Sequence, residues 1–195
     1  MNILEFRKEL AEVLSARGFT KLDDRGYRRG AVLMILYPKG DDIRIIFTVR
    51  SMRVSRHKGE AAFPGGEREE GDKDLLDTAL RETYEEIGLG VPRDQVLGRL
   101  DDCLVRGSKF IVTPFVAFLN KEPKVSPNPI EVSDVIAVPL SMLMAPGALE
   151  EGVVTWRGKE LRVPFFRYGR YKIWGATERI LRGFLEIVRE CKSLQ

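Results

Sequence analysis

The stretch from Leu75 to Ile87, halted by Gly88, constrains the fold most tightly, because its side chains are sorted by chemistry at helical spacing. With successive residues about 100° apart, Leu76, Leu80, Thr83 and Ile87 fall within roughly 60° of one another. Glu82, Glu85 and Glu86 occupy an arc of roughly 100° on another side. Such a helix buries an apolar stripe against a second layer and presents an acidic one. Asp72 or Asp74 is placed to cap its start.

Strands supply the other layer. Ala31 to Tyr37 and Ile43 to Val49 are β-rich runs joined by Pro38-Lys39-Gly40-Asp41-Asp42, a hairpin signal. Val96 to Val105, Phe110 to Leu119 and Val135 to Val138 read as further strands, Pro123 to Pro129 as a loop, and Val153 to Trp156 with Leu161 to Phe166 as a second hairpin. Residues 2 to 16, ended by Gly18, space Ile3, Leu4, Phe6, Leu10, Val13 and Leu14 as a packing helix, and Ala176 to Val188 does the same. No repeat or linker divides the chain, so residues 1–195 are expected to form one mixed α/β domain.

Composition removes several function classes. The longest unbroken apolar run, Ala31 to Tyr37, is far short of the roughly 20 residues that span a bilayer, and the first ten residues carry acids where a signal peptide is apolar. Thirty-two basic and 29 acidic residues leave a net charge of +3, too small to argue for nucleic acid. Cys103 and Cys191 lie far apart with no CxxC pattern, which fits free thiols in a cytoplasmic protein and suggests neither a disulfide framework nor zinc.

Carboxylates crowded on one helix face repel one another unless a cation neutralises them, and oxygen-only ligands suit Mg²⁺ or Mn²⁺. A solvated face with an Arg81–Glu85 ion pair is the plainer alternative. The segment ahead of the helix favours the metal. Phe63-Pro64-Gly65-Gly66 permits a tight bend that turns a carbonyl or amide towards a cation or a phosphate.

Gly66, followed by Arg81-Glu82-Thr83-Tyr84-Glu85-Glu86-Ile87-Gly88-Leu89, resembles the Nudix box, G-x5-E-x7-R-E-U-x-E-E-x-G-U with U aliphatic. Within this region, residues 66–89, Asp72 stands for the upstream Glu, one extra residue separates it from Arg81, and Thr83 holds an aliphatic position. Those departures match one subgroup, the coenzyme A pyrophosphatases. Their upstream signature resembles Thr48-Val49-Arg50-Ser51 running through Gly59 to Phe63-Pro64-Gly65-Gly66, with Ser55 where a second arginine is expected and Arg53 and Arg56 close by. Val112-Thr113-Pro114, Glu131-Val132 and Trp174-Gly175-Ala176-Thr177 extend the resemblance over about residues 30 to 190.

The resemblance implies a Nudix-type α/β/α sandwich with a mixed β-sheet. It also implies hydrolysis of the pyrophosphate bond of coenzyme A, with Mg²⁺ or Mn²⁺, to 4′-phosphopantetheine and adenosine 3′,5′-bisphosphate. Glu82, Glu85 and Glu86 would hold the metal, Arg81 would orient a box glutamate, and a box glutamate or Glu131 would be the general base. Arg50, Arg53, Arg56, Gly65 and Gly66 would meet the substrate. The basic run Arg50, Arg53, Arg56, His57 and Lys58 suits a multiply phosphorylated small molecule whatever the family, although nothing pairs His57 by spacing. Trp156, Trp174, Phe165, Phe166, Tyr168 and Tyr171 would stack a base, line a pantetheine channel or pack a core. Another nucleoside diphosphate derivative such as ADP-ribose suits the same chemistry, and a non-catalytic nucleotide-binding module suits the same fold. A homodimer is left open.

Overall fold

The chain reverses at Gly40, whose φ of 62° lies in the left-handed region that side chains disfavour. The reversal pairs Leu36 with Ile45 through to Lys39 with Asp42, the antiparallel hairpin expected from the sequence. A computed structural model describes residues 2–23, 25–51, 60–105, 109–156 and 158–194. In chain order the elements are α1 (Ile3–Ala16), β1 (Arg28–Lys39), β2 (Asp42–Arg50), β3 (Ala61–Ala62), β4 (Gly65–Glu67), α2 (Leu75–Ile87), β5 (Val96–Arg99), β6 (Cys103–Val105), β7 (Phe110–Phe118), β8 (Val132–Pro139), α3 (Leu140–Met144), β9 (Leu149–Trp156), β10 (Lys159–Tyr168), β11 (Tyr171–Trp174) and α4 (Gly175–Val188).

β1 runs through the middle of the main sheet, ordered β3-β2-β1-β7-β5, and is parallel to β7 from Arg28 opposite Phe110 to Leu36 opposite Phe118. Its residues are buried on both faces, which explains the continuous apolar run Ala31 to Tyr37. On one face Met34 and Leu36 join Phe6 and Leu10 of α1 and Leu181 and Phe184 of α4. On the other, Ala31, Leu33 and Ile35 join Ala79 and Ile87 of α2. Helices therefore cover both sides of a mixed sheet, the expected α/β/α sandwich. A second sheet, β11-β10-β9, carries the expected second hairpin, lengthened at both ends.

Several boundaries differ from the sequence reading. The single strand expected from Val96 to Val105 breaks into β5 and β6, because Asp102 leaves the ladder to become a buried polar hub. Its carboxylate accepts from Arg29 Nη1 at 2.9 Å, Arg99 Nη2 at 2.8 Å, Thr113 Oγ1 at 2.7 Å and the Leu22 backbone N–H at 3.0 Å. These partners come from four separate stretches of chain, so no local pattern announces them. The strand expected at Val135 to Val138 runs from Val132 to Pro139, and β11 was not anticipated. Leu4, placed on the stripe of α1, is 77% exposed, whereas Phe6, Leu10 and Leu14 are buried.

Removing one partner of a buried ion network leaves the rest uncompensated. Asp102→Ala is expected to lower unfolding free energy by about 3 kcal/mol, measured by urea denaturation.

Candidate active site

α2 spans Leu75 to Ile87 as read, with Asp74 as its cap: Asp74 Oδ1 accepts the Asp77 N–H at 2.8 Å, and Gly88 at φ 65° ends the helix. Asp72, the other candidate cap, is turned inward to Arg81. Arg81 Nε and Nη2 donate to Asp72 Oδ1 and Oδ2 at 2.9 and 3.1 Å, a bidentate pair. Nη2 also donates to the Glu67 carbonyl at 3.0 Å, and Nη1 to Glu82 Oε1 at 3.0 Å and Glu85 Oε2 at 3.1 Å. Asp72 further accepts from the Glu69 N–H at 2.9 Å and Thr78 Oγ1 at 2.8 Å. The guanidinium holds the Asp72 carboxyl well below the usual carboxylate range, and Asp72 in turn raises Arg81. The aspartate standing in the box's glutamate position thus anchors the arginine that orients two box glutamates.

The three glutamates of α2 are not equivalent. The helix buries Ala79, Thr83, Glu86 and Ile87, while Leu76 and Leu80 of the expected stripe are only half-buried. The apolar and acidic arcs therefore overlap at Glu86, which is 3% exposed. Thr83 is tolerated in the core because its hydroxyl donates to the Ala79 carbonyl at 2.7 Å. Glu85 sits at the exposed rim, and Glu82 lies between the two.

Gly65 and Gly66 let β4 approach both β1 and α2. Ala31 pairs with Gly66 and Val32 with Gly65. A Cβ on Gly65 would meet the Ala31 carbonyl oxygen at 2.2 Å, and one on Gly66 would meet the Glu82 carboxylate carbon at 2.4 Å. The bend expected at 63–66 therefore presents backbone to the carboxylates, and the Gly65 N–H hydrogen-bonds Glu86. Thr48 Oγ1 lies 3.5 Å from Glu86 Oε2, and Arg50 Nη1 lies 3.7 Å from Glu86 Oε1. The loop before β8 docks on the end of α2, with the Asn128 N–H donating to the Glu86 carbonyl at 2.8 Å and the Ser126 N–H to that of Ile87 at 2.7 Å. This docking carries Glu131 to the site, where its charge acts on both Glu82 and Glu86.

Burial pushes the Glu86 carboxyl up to about 8; Glu82 and Glu131 add to the rise, and Arg50 and the Gly65 N–H oppose it. Burial raises Glu82 as well, against Arg81. Hard oxygen donors around a carboxyl whose charged form is so disfavoured fit Mg²⁺ or Mn²⁺, which would be held by Glu82, Glu85 and Glu86. Among the described residues, no three acidic, histidine or cysteine side chains are already gathered at metal-binding spacing. The geometry explains this, since Arg81 draws Glu82 and Glu85 to itself while Glu86 faces Thr48 and Arg50.

Of the expected substrate contacts, Arg50, Gly65 and Gly66 converge here, while Arg53 and Arg56, with Ser55, His57 and Lys58, lie outside the described residues. Thr48, Arg50 and Gly65 border a cavity of about 730 Å³ that Trp156, Leu161, Val163 and Trp174 also line. Phe165 and Phe166 are buried, and Tyr168 and Tyr171 pack against the core. Cys103 and Cys191 are free thiols. Thr48 opens the upstream signature and Glu86 closes the acidic run of α2, but their contact has no signal in spacing, because the two stand 38 positions apart on different elements.

A family model described as the NUDIX domain matches residues 27–156. The chain belongs to the Nudix family. It is 35% identical over 83% of its length to the Nudix hydrolase NudL of Photorhabdus laumondii, covering 86% of that protein. It is 35% identical to a peroxisomal coenzyme A diphosphatase of Mus musculus, over 77% of this chain and 66% of that one. To a mitochondrial coenzyme A diphosphatase of Homo sapiens it is 37% identical, over 74% and 62%. The chain thus spans less than two thirds of those two relatives. Among solved structures, a MutT/nudix family protein from Enterococcus faecalis superposes with a TM-score of 0.61 at 15% identity, covering 97% of this chain and 75% of that one. Membership with hydrolase relatives places the chain among pyrophosphohydrolases. Among the described residues, no helix is long and apolar enough to cross a membrane.

Two outcomes follow from this geometry. Gly66→Ala places a methyl group where the Glu82 carboxylate sits and is expected to lower kcat about 100-fold or more in steady-state assays. A carboxyl raised from 4.5 to about 8 binds its proton more tightly in the folded than in the unfolded chain. Its contribution to stability is complete below its unfolded value and is lost as pH rises through the folded one. In chelator, stability should therefore fall between about pH 5 and about pH 8.5, a slope that Glu86→Gln or added Mg²⁺ flattens in denaturant titrations.

Proposed function

We propose that this chain hydrolyses the pyrophosphate bond of coenzyme A or a coenzyme A derivative, releasing 4′-phosphopantetheine and adenosine 3′,5′-bisphosphate. The observation that carries the reading is the buried Glu86 carboxyl, set beside Glu82 and within the field of Glu131, and bordered by Gly65, Thr48 and Arg50, three residues that also line a cavity of about 730 Å³. The two mammalian relatives named as coenzyme A diphosphatases, each aligned over about three quarters of the chain, support the substrate.

A diphosphate needs its charge neutralised, its phosphorus exposed and a water set in line. Glu82, Glu85 and Glu86 would hold Mg²⁺ or Mn²⁺, which would supply the neutralisation and lower the pKa of a water. Arg81, fixed by Asp72, keeps Glu82 and Glu85 oriented. Arg50 meets substrate phosphate, joined by Arg53 and Arg56, and Gly65 and Gly66 keep the floor of the site free of side chains. Glu131, free of the Arg81 network, takes the proton of the attacking water as general base, with a box glutamate as the alternative. Residues 1–195 act as one catalytic unit on a small molecule in the cytoplasm.

Chromatography of products after incubation with coenzyme A or ADP-ribose, each with Mg²⁺, Mn²⁺ or chelator, tests the reading. The expected result is metal-dependent adenosine 3′,5′-bisphosphate. Turnover of ADP-ribose alone would discard the coenzyme A assignment. Binding without turnover at every metal concentration would discard catalysis. Glu86→Gln, a poor Mg²⁺ ligand, should lower turnover about 100-fold or more while the protein stays folded by circular dichroism.

A further inference from the structure

We propose that Asn128 is a positioning residue for the reaction: its carboxamide holds the Glu131 carboxylate at the acidic centre, so that replacing it lowers turnover through Glu131 alone. The inference rests on the reading of Glu131 as general base and goes beyond it by naming the group that sets its geometry.

The chain reaches Glu131 through Ser126-Pro127-Asn128-Pro129-Ile130. Residues 124 to 127, 129 and 130 are exposed, whereas Asn128 between them is half-buried. Asparagine followed by proline suits the first two positions of a β-turn, because proline fixes φ and the asparagine side chain accepts from the backbone two residues on. Both bonds are made. The Glu131 N–H donates to the Asn128 carbonyl at 3.1 Å, and the Ile130 N–H donates to Asn128 Oδ1 at 3.1 Å.

With Oδ1 used by an N–H donor, the other end of the carboxamide is set, and Nδ2 donates to Glu131 Oε1 at 3.4 Å. The Asn128 backbone N–H donates to the Glu86 carbonyl at 2.8 Å. One residue therefore grips the last turn of α2 with its main chain and the Glu131 carboxylate with its side chain. The Ser51 N–H, donating to the Glu131 carbonyl at 2.7 Å, fixes the main chain of Glu131 but leaves its side chain to Asn128.

Glu131 differs here from the glutamates of α2. Arg81 holds Glu82 and Glu85, and Arg50 stands beside Glu86. Among the described residues, Glu131 has no ion pair and no side-chain hydrogen bond besides that from Asn128. A guanidinium in place of the amide would stabilise the carboxylate charge and weaken the group as a base. A neutral donor on one oxygen sets the direction of the carboxylate and leaves the other oxygen to take a proton from water.

The test is a double-mutant cycle on coenzyme A turnover at saturating Mg²⁺, with Asn128→Asp and Asn128→Ala each made in the wild-type protein and in Glu131→Gln. Asp keeps the acceptor for the Ile130 N–H, so the turn is retained while the donor to Glu131 is lost. Ala removes the donor without adding a charge. Glu131→Gln alone should lower kcat about 100-fold or more. In the wild-type protein each Asn128 substitution should lower kcat about tenfold or more and leave KM within about twofold; in Glu131→Gln it should change kcat by less than about twofold. Equal factors in both backgrounds mark a role in loop folding alone and overturn the inference while the general-base assignment stands. Unchanged kcat in the folded Asn128 variants overturns it as well. Unchanged kcat in Glu131→Gln overturns the base assignment and this inference together. Where circular dichroism shows one Asn128 variant unfolded, the other decides. If the wild-type protein cleaves ADP-ribose and not coenzyme A, the substrate assignment falls and the same cycle on ADP-ribose decides the role of Asn128; no turnover of either overturns both readings.

Discussion

One guanidinium organises the acidic centre. Arg81 reaches back to Asp72 and the Glu67 carbonyl on the loop before its helix, and forward to Glu82 and Glu85 on the helix itself. Without it, Glu82, Glu85 and Asp72 would crowd one region without their shared counter-charge and without the hydrogen bonds that set their rotamers. The pairing with Asp72 is bidentate and buried, so it survives in a geometry that a single exposed ion pair would not hold. Glu86 is the exception. Arg81 does not pair with it; Arg50 stands 3.7 Å away, and burial leaves it desolvated.

The site was legible in the sequence where its determinants are local. Helix bounds at Leu75 and Ile87 follow from Asp74 and Gly88, and the Gly65-Gly66 bend follows from residues that tolerate close approach. The replacement of the box glutamate by Asp72 was visible, but its consequence was not. Only the folded loop shows that the shorter side chain reaches Arg81 from one residue further away. The rotation of α2 about its axis was misjudged for a related reason. Periodicity centres the inward stripe on Leu76, Leu80, Thr83 and Ile87; Thr83 and Ile87 are buried and Leu80 packs partly buried against the core, but the buried face is turned towards Ala79, and Glu86 is carried inward with it.

The other determinants are long-range. Asp102 collects donors from residues 22, 29, 99 and 113, and the strand it interrupts looks continuous by composition. Glu131 reaches the centre because the loop before β8 hydrogen-bonds to the last carbonyls of α2, groups that a helix always leaves open and that any sufficiently close N–H can satisfy. Both cases involve backbone and side chains meeting across tens of residues, a relation that spacing does not encode.

The parallel pairing of β1 with β7 bears on how the site comes into being. Arg28 lies opposite Phe110, and β1 is also the strand on which β4 lays its two glycines. A loop of about eighty residues must close before the central strand has both neighbours, an entropic cost that local contacts do not offset. During synthesis, the segment bearing Arg81 and its glutamates emerges before the strand that completes the sheet beneath it. The motif therefore exists as sequence before it exists as a site, and the carboxylates come together only when a distant strand has locked in register.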